Sequence, residues 1–195
     1  MRSRRTTFSF LLLLAVTVSS ASRQSRALPK EFAGETPAVP EIGAATAPRT
    51  DAELIAAARE IIASARYCSL ITVDAAGRPQ ARTVDPFPPD EQLTIWVGTN
   101  AHSSKVKEIR RQPHVVLYYF DREAQAYVSI SGRARLVADA KLKLKWWKDE
   151  WQTFYPDRAD YLLIEVRPER LEIVSVKHNI IGHDKSWTPP SVIFK

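Results

Sequence analysis

Between Tyr67 and Val176 the chain is divided into short apolar runs, and turn residues or prolines close nearly every one. Tyr67 to Val73 is rich in Leu, Ile, Val and Thr, Asp74-Ala75-Ala76-Gly77 offers a turn, and Pro79 to Val84 returns. That pattern predicts a β-hairpin. Pro86, Pro88 and Pro89 then force an irregular loop, because proline cannot donate to a ladder. Further strands are predicted at Leu93 to Val97, Val115 to Phe120 and Ala126 to Val137, the last bent or bulged at Gly132. Tyr161 to Val166 and Leu171 to Val176 close the series around Pro168. Six or so strands joined by short connections predict a mainly β fold, a closed antiparallel barrel with peripheral helices, and exclude a doubly wound sheet.

Three helices are expected beside these strands. Thr50-Asp51-Ala52-Glu53 is a capping box, and Leu54, Ile55, Ala58, Ile61, Ile62 and Ala65 follow at helical spacing, so a helix should run over about 51–65. Ser103 is placed to cap a second helix of about 103–112, with Val106 and Ile109 inward and Pro113 beyond its end. Residues 140–154 predict a third. In it Trp147 and Trp151, one turn apart, form a packing face beside Trp146, and Lys141, Lys143, Lys145 and Lys148 a solvated one.

The chain ahead of Thr50 has a different character. Arg2, Arg4 and Arg5 precede an apolar stretch from Phe8 to Val18, and Ser19-Ser20-Ala21 follows. Residues 1–21 are expected to be an export signal, too short for a comfortable membrane span, so no stable span remains after its removal. Ser3-Arg4-Arg5 also resembles a twin-arginine signal, a route that carries folded proteins with cofactor already loaded; a Sec signal fits as well. The expected location is periplasmic or secreted. Residues 22–49, punctuated by Pro29, Pro37, Pro40 and Pro48, are expected to be a flexible Ala/Pro-rich linker. The folded domain should span 50–176, with 177–195 an extension that closes on it.

Charge and cysteine usage narrow the function. The formal net charge is +6, and removing Arg2, Arg4 and Arg5 with the signal leaves +3, too mild to argue for nucleic acid. A single cysteine, Cys68, allows no internal disulfide and in an apolar strand is expected to be inert core. The four histidines form no recognisable metal-ligand pattern, so no metal is expected. No serine has nucleophile-elbow surroundings, which argues against a hydrolase.

The stretch from Leu93 to Pro113 carries the chemistry. A strand ends in Gly98-Thr99-Asn100, and a helix opens with Ser103-Ser104-Lys105. A helix N-terminus exposes unpaired N–H groups and partial positive charge. Hydroxyls and an ammonium beside it make a candidate phosphate cradle. Arg82, on the neighbouring strand, can add a bidentate fork. A capped helix with solvated cations is the alternative reading of the same residues.

The order of these segments resembles the pyridoxamine 5′-phosphate oxidase-like split barrels, in their general-stress-protein branch. Arg66 to Asp74 with Gly77-Arg78-Pro79 is similar to the family's first hairpin, and Ala81 to Val84 to its second strand. Leu93 to Asn100 followed by Ser104-Lys105-Val106 is similar to its phosphate-binding strand and helix. Ile109 to Val115, Tyr127 to Ala134 and Trp151 to Pro156 match later segments. The resemblance implies an FMN-binding split β-barrel of antiparallel Greek-key type, homodimeric, with FMN at the subunit interface. It implies that Arg82, Ser104 and Lys105 hold the phosphate. Thr83 and Val84 would flank it, with Trp96, Val97, Gly98 and Thr99 along the ribityl chain and ring. Tyr127 falls where the oxidase has a glutamine near the isoalloxazine, which removes an amide donor. The oxidase's C-terminal substrate residues have no counterpart, so vitamin B6 oxidation is not implied.

Four functions remain open at this point. The first is a flavin-dependent oxidoreductase acting on a small molecule, and the second a non-catalytic flavin, haem or other ligand-binding or sensor protein on the same barrel. A deazaflavin-dependent reductase is the third, and a purely structural exported domain the last. Trp187-Thr188-Pro189-Pro190 in the tail predicts a rigid, extended piece that closes a barrel edge.

Overall fold

The computed structural model describes residues 49–195. The export signal assigned to 1–21 and the linker, except its last residue, lie outside the described residues. That last residue, Arg49, is tied down: its Nη2 donates to the His178 carbonyl at 2.9 Å.

Helix α1 (Asp51–Ala65) opens as its capping box requires. The Glu53 amide donates to Thr50 Oγ1 at 3.3 Å, and the Thr50 amide donates to Glu53 Oε2 at 2.8 Å. A cap of this kind contributes about 1 kcal/mol. Leu54, Ala57, Ala58, Ile61 and Ile62 face inward from α1 onto the sheet.

Seven strands follow: β1 (Cys68–Val73), β2 (Pro79–Val84), β3 (Ile95–Asn100), β4 (His114–Asp121), β5 (Ala126–Val137), β6 (Tyr161–Ser175) and β7 (Ser191–Ile193). The sheet order is β2-β1-β4-β5-β6-β3, all antiparallel, with β7 also on β6. Its two end strands meet. Pro86, just past β2, bridges to Val97 of β3, and the Phe87 amide donates to the Trp96 carbonyl at 2.8 Å. This single rung closes the sheet into a split barrel. Leu70, Leu117, Ile130, Ile164, Leu171 and Ile173 are completely buried inside it. Each such side chain stabilises the fold by about 1.5–3 kcal/mol.

The long partners β5 and β6 bend together. Their register shifts between Ser131 and Gly132, opposite Pro168. A Cβ on Gly132 would lie 2.2 Å from the Arg167 carbonyl oxygen, so only glycine permits this approach. Pro168 does not end the strand, as the two separate runs at 161–166 and 171–176 suggest. Its missing N–H coincides with the bulge, and β6 passes through.

Two other expectations change. The strand expected over Leu93 to Val97 instead runs from Ile95 through Gly98-Thr99-Asn100 as β3, and a turn at residues 101–103 leads into α2 (Ser104–Arg111). The single helix expected over 140–154 is broken into α3 (Ala140–Lys145) and a 3₁₀ turn, Asp149–Thr153. Its indoles explain the break. Trp146 stacks on Trp96 at 5.8 Å between ring centroids, Trp147 meets Tyr161 edge-on at 5.3 Å, and Trp151 seats against Gly98. One straight helix presents one stripe and cannot bury all three. With Phe87, these rings form a second small core on the outer face of β3. In the tail, Ser191–Ile193 pairs with Arg170–Glu172. Trp187 itself is 83% exposed with φ 56°, so its segment is not uniformly extended. Among the described residues, no helix is long and apolar enough to cross a membrane.

Candidate functional site

A groove of about 420 Å³ opens between β2, the end of β3, the head of α2 and the 151–155 segment. Strand geometry supplies its floor. Ile95, Val97 and Thr99 alternate inward along β3, whereas Trp96, Gly98 and Asn100 face the other side. The adjoining β2 contributes Arg82, Thr83 and Val84.

Two cations define the groove's basic end. The Lys105 ammonium, half-buried at the first turn of α2, donates to Thr99 Oγ1 at 3.0 Å. Among the described residues it has no carboxylate within ion-pair distance. Burial, and then the nearby Arg82, holds its pKa below the ordinary lysine value, with Glu108 acting in the opposite sense. Arg82 is braced from behind. Its Nη2 donates to Glu108 Oε2 at 2.9 Å and its Nη1 to the Thr72 hydroxyl, which donates in turn to Glu108. Arg82, Lys105 and Glu108 therefore leave one net positive charge at the site. Ser103 occupies the N-cap position but its side chain makes no cap bond; its Oγ lies 3.3 Å from Thr99 Oγ1. The first N–H groups of α2 are thus left without a side-chain cap, toward the same end.

Six of the ten residues expected at the site line this groove: Arg82, Thr83, Val84, Gly98, Thr99 and Lys105. The other four do not. Val97 points into the barrel core, and Trp96 lies beneath Trp146. Ser104 is exposed on α2. Tyr127 sits at the start of β5, stacked on Tyr118 with 5.6 Å between centroids. Burial, and then Glu172 and Tyr118, raises its hydroxyl's pKa.

Five further residues line the groove: Asp85, Asn100, Trp151, Phe154 and Tyr155. In the sequence Asn100 is only a strand end, Trp151 to Pro156 only a family-like segment, and Asp85 only part of a loop, none with a role in the site. Asp85 accepts from the Lys148 ammonium at 3.0 Å. Glu108 had a visible signal, being the lone acid in an otherwise basic helix, Ser104–Arg111. For the aromatic residues the sequence carries only the likeness of Trp151 to Pro156 to a family segment, because their place at the groove depends on where the broken helix turns back.

A second grouping has the connectivity of a hydrolytic triad. Ser175 Oγ lies 2.8 Å from His178 Nδ1, and His178 Nε2 lies 3.0 Å from Glu60. Ser175 is completely buried and its Oγ accepts the His178 amide at 3.3 Å. No substrate can reach it, and the group fastens the end of β6 to α1.

A split antiparallel barrel of seven strands with few helices is the class of protein that this fold defines. The chain belongs to the pyridoxamine 5′-phosphate oxidase family, whose model matches residues 54–175, more than half of its length. It is 30% identical over 112 residues to general stress protein 26 of Bacillus subtilis, covering 55% of this chain and 78% of that protein. A protein from Clostridium acetobutylicum related to general stress protein 26 superposes with TM-score 0.60 at 19% identity, over 75% of this chain and 96% of that one. An FMN-binding protein from Nostoc punctiforme, related to pyridoxamine 5′-phosphate oxidase, does so at 0.54 and 17%, over 78% and 100%. At these identities the two structures establish the fold.

Proposed function

We propose that the chain is an FMN-binding, oxidoreductase-like protein that holds the cofactor by its phosphate. One observation carries this reading. Lys105 is half-buried with a hydroxyl for its partner, and both its burial and the nearby Arg82 disfavour its charge. Such an arrangement costs the empty fold energy and is relieved by an anion. The groove's chemistry fits a phosphate-bearing cofactor. Lys105, the Arg82 edge and the open first turn of α2 would hold the phosphate, and Glu108 with Thr72 would keep Arg82 in place. Bound FMN would supply hydride or electron transfer, and the chain's own part is to bind, orient and shield it. Family membership and the FMN-binding relative of the same fold support the choice of flavin.

The test compares FMN with riboflavin, which lacks the phosphate. Wild-type protein should prefer FMN, and Lys105→Met should reduce that preference about tenfold, corresponding to roughly 1.4 kcal/mol. Equal affinity of the wild type for both, or for neither, sinks the proposal.

A second copy of the chain is proposed as partner. Tyr67, Tyr118 and Phe120 are exposed around a hollow that Thr83 also lines, and Thr83 is shared with the basic groove. A self-complementary aromatic face beside the site suits an isologous dimer.

A further inference from the structure

We infer that Trp151, Phe154 and Tyr155 form the wall against which the planar ring of the bound cofactor lies, so that the 3₁₀ turn after α3 selects an aromatic ligand; this rests on the flavin reading above. The groove's lining is of two chemical kinds, the cations Arg82 and Lys105 and these three rings. A ligand filling it therefore needs an anion joined to a flat apolar body.

The wall is built for close approach. Trp151 carbons would lie 2.4 and 2.6 Å from a Cβ placed on Gly98, so its indole sits flush on the β3 backbone. Tyr155 packs beside it at 6.1 Å between centroids and onto Tyr161 at 5.2 Å. Lys148 fastens the turn, its ammonium 5.1 Å from the Trp151 ring and paired with Asp85. Trp151 and Tyr155 are thereby held before any ligand arrives.

Phe154 is the telling member. It is 72% exposed, and it stacks on none of the described aromatic rings. A phenyl this exposed contributes little to the fold, and this one lines the basic groove. Stacking on a ring bound there would remove it from solvent.

Phe154→Ala tests this cleanly, since an exposed ring can be removed without a cavity. Binding of FMN, riboflavin and inorganic phosphate should be followed by fluorescence and calorimetry, beside the melting temperature. FMN and riboflavin should each weaken about 3- to 10-fold. Their ratio, phosphate binding and the melting temperature should stay unchanged, and Phe154→Trp should restore affinity. If Phe154→Ala binds both flavins as tightly as wild type, or weakens FMN alone, the wall assignment falls while the phosphate cradle stands. If the wild type binds neither flavin, the flavin reading falls and takes the assignment with it.

Discussion

Gly98 and Gly132 both sit in strands where a methyl group has no room, but the obstruction differs in kind. At Gly98 a Cβ would lie 2.4 Å from Trp151 Cζ3, and at Gly132 it would lie 2.2 Å from the Arg167 carbonyl oxygen. Each contact must open by roughly 1 Å to reach ordinary van der Waals distance. Trp151 sits on a 3₁₀ turn outside the sheet and is held there by side-chain packing, which yields more readily than a backbone carbonyl in a paired strand. Gly98→Ala should therefore cost about 1 kcal/mol, the low end of overpacking. Arg167 is part of β6 and pairs with Arg133, so it can move only by breaking rungs around the bulge. Overpacking plus one or two lost backbone hydrogen bonds puts Gly132→Ala at about 3–4 kcal/mol. At about 2–4 °C per kcal/mol for a domain of this size, the melting temperature should drop by roughly 2–4 °C for Gly98→Ala and 6–16 °C for Gly132→Ala. Circular dichroism melts of the two variants and wild type, each free of ligand, measure both. Equal drops, or a Gly132→Ala protein within 2 °C (roughly 1 kcal/mol) of wild type, would refute the reasoning.

Lys105 predicts a pH dependence. Its folded-state pKa is lowered, chiefly by burial, so the unfolded chain binds more protons in the window below the ordinary value of about 10.4. Its contribution should grow more favourable as pH rises through that window. The stability of ligand-free wild type minus that of Lys105→Met, from urea titrations, should therefore climb on the alkaline side of neutrality; a flat or falling difference contradicts the assignment. The dimer is tested at Phe120, 58% exposed on β4. Phe120→Lys should give monomers by light scattering at concentrations where the wild type is dimeric, and a monomeric wild type at tens of micromolar removes the proposal.

The barrel was legible where local rules and tertiary packing agree. The capping box at Thr50 marks the start of α1, and the β1–β2 hairpin follows from Asp74 to Pro79. Gly132 marked the bend in β5, but the same bulge hides Pro168 in β6, because the partner strand decides where a missing N–H does no harm. The 140–154 segment misled for a related reason. Its lysines and leucines suit a helix, while its three indoles converge on one cluster with Phe87, Trp96 and Tyr161 that the straight helix does not serve. In the site, Lys105 is legible because charge at a helix start has a local signature, whereas Arg82 on β2 reaches it only through the order of the strands. Glu108 behind Arg82 and the wall at 151–155 depend on which distant segments meet, which single-chain periodicity does not encode.

The one rung between Pro86 and Val97 bears on how this barrel holds together. Elsewhere its strands share several rungs, but here β2 and β3 are fastened by the Phe87 amide and little more backbone. The basic groove straddles that seam, with Arg82 on one bank and Gly98, Thr99 and Lys105 on the other. Under the proposed reading, an anion bridging the two banks would add a cross-tie beside the Arg82–Glu108 pair, and its binding energy would become resistance to unzipping at the weakest edge of the sheet.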